Sequence, residues 1–428
     1  MKLFIRRLQS DWASWLAVAF IALLPFARLS ELPLSVFAIS LAFLARDADK
    51  RSRIRSAALF VVPLFLCYWV PMVLSAFDSF DPQKSTMQSL AALRYLAAAL
   101  ALSVLLEAPS ARERVLRWTA WLLLFWAADA FIQLFFGRDL FGITMHPDRL
   151  NALFIKKYQF FGPTLAMLSP LVLEHARRNW RPWAWAVSFA LLLGAVMIAG
   201  MRAGWLTMGL VLGTYMLLMM KRENRGLRRT LFTIPALAVI VLAISYFASP
   251  LFQERLDVTR AFTSGQEQAL DASSLERVPI FRTALKMYRE HPVNGVGVRA
   301  FPVAYMAYAE PGDIHIEKSG GRSGATHAHN VILEIMSDTG TIGLAGLVLA
   351  LVFLARQRGR ISPAERHDAF PYALAVFLIL FPLNSHFAIY GTYTSSLIWF
   401  LAGLWGASLR HNGAAARMLK SSNAGSPP

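Results

Sequence analysis

The chain has 428 residues, of which 56% are hydrophobic and only 16% charged, with a mean hydropathy of +0.46 and a formal net charge of +17. That balance excludes a soluble fold, and apolar stretches separated by basic clusters describe an all-α, polytopic membrane protein. The pI near 10.4 does not point to nucleic acid, because the cations sit between apolar runs as topology markers; the single cysteine, Cys67, excludes an internal disulfide.

In chain order, Met1 to Ser10 is basic, but the apolar run that follows has no small-residue cleavage site and is expected to continue as a span. Twelve spans are expected, near 11–28, 32–45, 57–77, 89–108, 118–136, 158–176, 183–201, 203–220, 230–248, 339–355, 369–386 and 394–409. Alternate connections carry Arg46 to Arg55, Arg112 to Arg117, Arg177 to Arg181, Lys221 to Arg229 and Arg356 to Arg366. With the termini they hold 26 of the 43 Lys and Arg, which places these loops and both termini in the cytoplasm. Residues 1–248 then form nine spans, 249–328 one long outer segment, 329–410 three further spans, and 411–428 a cytoplasmic tail.

The positive-inside rule leaves 16 cations on the outer face unexplained, and Arg94 within a span. The outer cations concentrate at Gly137 to Lys157, which includes Arg149, and in the long segment from about Pro250 to Ala328. In that segment Pro279 suits a first helical turn, so a helix is expected from about Val278 to Glu290. Val278, Phe281, Leu285 and Tyr288 would line one face, with Arg277 at its head and Arg282, Lys286 and Arg289 as a basic stripe. The turn Gly295-Val296-Gly297 is expected to present backbone amides to an anion.

Arg202 lies between two apolar runs in AGMRAGWL, at an expected hairpin tip on the outer side, where a cation reads as functional or as a snorkelling interface marker. Arg94, about a turn and a half inside its span, should face a polar cavity or a structural partner, since burying an arginine costs about 2.5–3.5 kcal/mol on insertion scales. His327 and His329 form an H-x-H pair; no cysteine and no third ligand at suitable spacing completes a zinc site. Asn330 follows, and Val331 to Asp338 reads as a short helix that Gly340 closes in the left-handed conformation. The apolar run Thr341 to Ala355 is only about 22 Å long at 1.5 Å per residue. A hydrocarbon core is about 30 Å thick, so His329 should lie near the membrane surface. Glu334 and Asp338 share a helix face and read as polar packing or as partners of outer arginines. His386 and Tyr390 read as cavity lining or as an interfacial aromatic belt.

His329-Asn330, nine residues, Gly340, two residues, Gly343 resembles the signature H-[NSQ]-x9-G-x2-G of the O-antigen ligase family, with Leu344 where that signature continues with Thr. AGMRAGWL, the Arg277 segment running into HPVNGVG, and twelve spans with one long loop before the histidine are similar to that family too. The resemblance implies an inverting glycosyltransferase of the bacterial inner membrane with its active site facing the periplasm. It would move O-antigen polysaccharide from undecaprenyl pyrophosphate to a sugar hydroxyl of lipid A-core. On that reading His329 is the general base, Arg202 and Arg277 bind the donor pyrophosphate, and no metal or other cofactor is required. Arg94, Arg149, Arg282, His327, Asn330 and Tyr390 are expected to line the same site. An O-antigen polymerase or a protein O-oligosaccharyltransferase would share the layout, but the paired Arg-x10-Gly outer loops of the polymerases are not present. A transporter would place such residues at the membrane midplane instead of clustering them on one side.

Overall fold

The computed structural model describes residues 2–146, 149–154, 160–220, 225–249, 252–254, 256–257, 277–383 and 387–409. Of the described residues 78% are helical and none lies in a strand, with only two isolated bridges, Arg138 to Thr144 and His146 to Arg149. The first nine helices are α1 (Lys2–Ala22), α2 (Glu31–Leu44), α3 (Ala48–Ser75), α4 (Pro82–Leu105), α5 (Pro109–Phe136), α6 (Phe161–Asn179), α7 (Pro182–Ile198), α8 (Arg202–Met220) and α9 (Arg225–Ala248). Then come α10 (Arg277–Glu290), α11 (Phe301–Tyr308), α12 (Ile314–Lys318), α13 (Val331–Arg358), α14 (Pro363–Ile379) and α15 (Thr392–Ser408). A helix overlies each of the twelve apolar runs. Among the described residues, four of them, α3, α4, α5 and α13, are long and apolar enough to cross a membrane, by length and composition.

Polar side chains that hydrocarbon cannot satisfy drive a helix to the centre of a bundle, and α6 buries Thr164, Ser169, Glu174 and His175. Helix α6 is buried from Phe161 to Ala176, and α15 is buried along nearly its whole length. Gly403 of α15 lets that helix ride against α4, where a Cβ would stand 3.1 Å from the Ala99 Cα. Outer helices instead present large apolar side chains on their exposed faces, among them Val36, Ile39 and Phe43 on α2, Leu59 and Leu66 on α3, and Leu349 and Val352 on α13. Such faces suit hydrocarbon.

The described part of the long segment builds a second, smaller core from Ile280, Ala284, Met287, Val296, Phe301, Ala304, Tyr305, Ala325 and Ala328. Helix α10 spans nearly the expected range, but its buried face is rotated from the expected one. Ile280, Thr283, Ala284 and Met287 are buried, whereas Val278 is 43% exposed. Small Thr283 and Ala284 allow close packing on that side, which a search for large apolar residues passes over. Tyr288 still reaches α13, its hydroxyl 3.0 Å from Thr341 Oγ1.

Candidate functional site

The site is organised by a break in α13. Helical geometry stops at Gly340, whose φ of 62° and ψ of −155° belong to a region essentially reserved for glycine. The expected closure at Gly340 is therefore present, and the chain restarts at once as a second helical stretch. A break of this kind orphans carbonyls on one side and amides on the other. The turn after α10 satisfies both sets. Val296 N–H donates to Ser337 O (2.7 Å) and Gly297 N–H to Asp338 O (3.1 Å), while Thr341 N–H donates to Pro292 O (2.8 Å) and Ile342 N–H to Val293 O (3.1 Å). The approach is backbone to backbone: a Cβ on Gly340 would overlap the Val293 carbonyl, and one on Gly295 would stand 2.5 Å from the Asp338 carbonyl carbon. Gly343, at the last position of the signature, has no room for a side chain either, because Thr339 Oγ1 and Ile335 Cγ2 occupy the space.

This docking corrects one expectation. The amides of Gly295-Val296-Gly297 are not presented to an anion. Gly295 N–H closes onto His291 O, and the other two are spent on the broken helix. The next amides are also used, Val298 N–H on Ser75 Oγ (3.2 Å) and Arg299 N–H on Asp338 Oδ2 (3.3 Å).

At the start of α13, Asn330 is the N-cap, its Oδ1 accepting from Ile332 N–H (3.0 Å) and Leu333 N–H (3.1 Å). Asn330 thus holds the helix start, and His329 immediately before it takes a left-handed φ of 51°. The rings of His327 and His329 lie 3.8 Å apart, centroid to centroid, and Thr326 Oγ1 stands 3.0 Å from His327 Nδ1. Both histidines line a polar cavity of about 370 Å³ together with Arg28, Glu31, Arg299, Phe160, Ala388 and the 391–394 segment. This is within the range of small-molecule sites, about 300–1,000 Å³. No group of three or more His, Cys, Asp or Glu able to hold a metal occurs among the described residues.

Arg299 is the residue the sequence reading passed over. It too has a left-handed backbone, φ 65°, and its guanidinium acts electrostatically on the buried Glu334 and Asp338. The carboxylates of α13 thus do face an arginine, although not one singled out from the sequence. Arg28, in the short connection before α2, is the second cation on the cavity wall that was passed over. The available signal was membership of the sixteen cations that the positive-inside rule leaves unexplained.

The other expected residues are dispersed. Arg94 bonds Glu31 Oε2 and the Tyr95 hydroxyl, each at 2.9 Å, and lines a neighbouring cavity, so it has both a partner and a polar space. Tyr390 does not line the His329 cavity. Its ring is 3% exposed, its hydroxyl is 3.0 Å from Thr339 Oγ1, and it borders an apolar cavity with Tyr68, Gly343 and Trp399. It anchors the 388–391 segment, which Glu334 also holds through the Ile389 and Tyr390 amides. Arg282 is exposed, 3.8 Å from Glu310, and does not line the cavity; Arg149 is half-buried in the loop after α5 and is not on its wall. Arg202 opens α8 just after Gly200, which has φ 70°, and Arg277 opens α10; both are half-buried, and neither is among the described cavity-lining residues. The Arg202 turn nevertheless packs against the start of α6. Gly162, two residues beyond the lining Phe160, would place a Cβ 2.8 Å from Ala199 Cβ and 4.0 Å from Met201 Cβ. His386, Lys156 and Lys157 lie outside the described residues.

Among known proteins, the family model described as O-antigen ligase matches residues 187–348. That interval begins in α7 and ends in α13, so it contains the Arg202 turn, α10, the HPVNGVG turn, His329 and the broken helix. The match supports membership of the O-antigen ligase superfamily. No curated protein matches the chain.

Proposed function

Taking residues 187–348 as an O-antigen ligase segment in a helical membrane protein, we propose that the chain is a metal-independent glycosyltransferase with twelve spans and both termini in the cytoplasm. It transfers O-antigen polysaccharide from undecaprenyl pyrophosphate to a sugar hydroxyl of lipid A-core at the periplasmic face of the inner membrane. The observation that carries this reading is that His329 shares one polar cavity with Arg28 and Arg299, at the end of a broken helix inside the matched segment.

The chemistry needs two things from the protein. The acceptor hydroxyl must lose its proton as its oxygen attacks the anomeric carbon, and the departing pyrophosphate must have its negative charge compensated as the glycosidic C–O bond breaks. His329 takes the proton. Arg202 and Arg277 hold the pyrophosphate through bidentate guanidinium contacts, and Arg299 adds positive potential from the cavity wall. Arginine forks make a divalent ion unnecessary for this step, and direct attack inverts the anomeric centre.

Transfer assayed with purified protein tests the reading. His329→Ala should abolish it while the protein stays folded; undiminished transfer removes the base assignment. The lipopolysaccharide of a deletion strain separates the ligase from a polymerase: full-length chains left on the lipid carrier indicate the ligase, and single repeat units the polymerase.

A further inference from the structure

His327 and His329 flank Ala328, which is fully buried in the smaller core. With Ala328 held inward and His329 in a left-handed conformation, φ 51°, the two histidines turn to one cavity. Their ring centroids lie 3.8 Å apart with the planes tilted by 40°, so the rings are in contact. We propose that His327 is a positioning residue for the transfer reaction: its neutral ring lies against His329 and stabilises the imidazolium that His329 becomes on taking the acceptor's proton. The inference rests on the ligase reading above.

The charges around the pair give His327 this task. Arg28 from the connection before α2, Arg299 from the turn after α10, Glu31 at the head of α2 and Tyr393 of α15 line the same cavity. Glu31 is the one carboxylate among the described lining residues, and it pairs with Arg94 at 2.9 Å. Glu334 and Asp338 of α13 are buried, are not on the cavity wall, and act on the Arg299 guanidinium. A proton arriving on His329 therefore enters a space lined by two guanidiniums and a carboxylate already paired, where a charged imidazole is disfavoured. An aromatic face within about 6 Å of a cation offsets this through the ring quadrupole. His327 supplies that face, and only as a neutral ring. Two imidazoliums in contact would repel, so the pair holds one proton at a time. Thr326 Oγ1, 3.0 Å from His327 Nδ1, fixes the ring's orientation.

In the reaction the acceptor oxygen bonds to the anomeric carbon, the C–O bond to the pyrophosphate breaks, and its electron pair leaves with the phosphate. The hydroxyl proton passes to His329, which later returns it to water. His327 takes no proton; it makes His329 the better base.

The test uses purified full-length protein and the pH profile of kcat, whose acid limb follows protonation of the base. His327→Gln removes the ring but keeps a hydrogen-bonding group for Thr326, and His327→Phe keeps an aromatic face that cannot titrate. Losing the stack makes the His329 imidazolium less stable, so His327→Gln should lower kcat and move the acid limb to lower pH by about one unit. His327→Phe should keep both near wild type. An unmoved limb in His327→Gln, or a limb that shifts as far in His327→Phe, overturns the proposal whatever happens to kcat or melting temperature. Carbethoxylation of His329 by diethyl pyrocarbonate, which attacks the neutral ring, reports the same protonation without transfer when followed by peptide mass spectrometry across the pH range. If wild type transfers nothing, the same shift in this profile supports the stacked pair while the ligase reading fails. Identical profiles for wild type and His327→Gln overturn the pair.

Discussion

Gly295 and Asp338 meet backbone against backbone, so closely that a Cβ on Gly295 would stand 2.5 Å from the Asp338 carbonyl carbon, with Gly297 N–H donating to that carbonyl's oxygen at 3.1 Å. Through this contact the turn after α10 completes a helix that Gly340 has interrupted, and that turn and the broken helix become one unit.

Gly340→Ala should be among the most damaging single-methyl changes in the protein. The backbone conformation alone costs an alanine about 1–3 kcal/mol, and the added carbon would overlap the Val293 carbonyl. Expected outcomes are a lower melting temperature in detergent and loss of transfer. Gly295→Ala should behave alike, while Gly209→Ala, where a Cβ meets nothing within 4 Å, should change neither.

His329→Ala and Asn330→Ala should separate by readout. Loss of a general base lowers kcat by roughly 10²–10⁴-fold without unfolding. Loss of the Asn330 cap removes about 1 kcal/mol of helix stability, lowers the melting temperature, and leaves residual transfer. Asn330→Ser should recover stability, because serine also caps; a kcat collapse in Asn330→Ser would instead give the amide a chemical role.

Arg299 invites a pair of substitutions. Its φ of 65° suits glycine, so Arg299→Gly keeps the backbone and deletes the charge. If the guanidinium serves the reaction, transfer should fall by roughly 10²–10³-fold, the usual effect of removing one transition-state donor, with little loss of fold. Arg299→Gly at wild-type activity would confine Arg299 to its turn.

Charge reversal at Arg202 or Arg277 should be at least as harmful as His329→Ala, measured as transfer by correctly inserted protein. Survival of activity in both variants would remove the pyrophosphate clamp. Full transfer in a strong chelator is expected as well, and loss that a divalent ion restores would reopen metal-assisted chemistry.

The helical class and the break at Gly340 were legible in the sequence because they depend on local features. Apolar runs specify where helices lie, and Gly340, in the segment that follows His329, ends one by its own conformational freedom. Asn330 as a cap is similarly local. What the sequence could not carry was which distant groups face that histidine. Arg28 and Arg299 stand about 270 residues apart in the chain, yet they line one cavity. The use of the Gly295 turn amides followed from a break 45 residues later needing donors, and Tyr390 turned away because Thr339 offered its hydroxyl a buried partner. Periodicity and propensity act within a helix; cavity membership is set by how helices pack and by which backbone groups are left to satisfy, and those were decided by the tertiary structure.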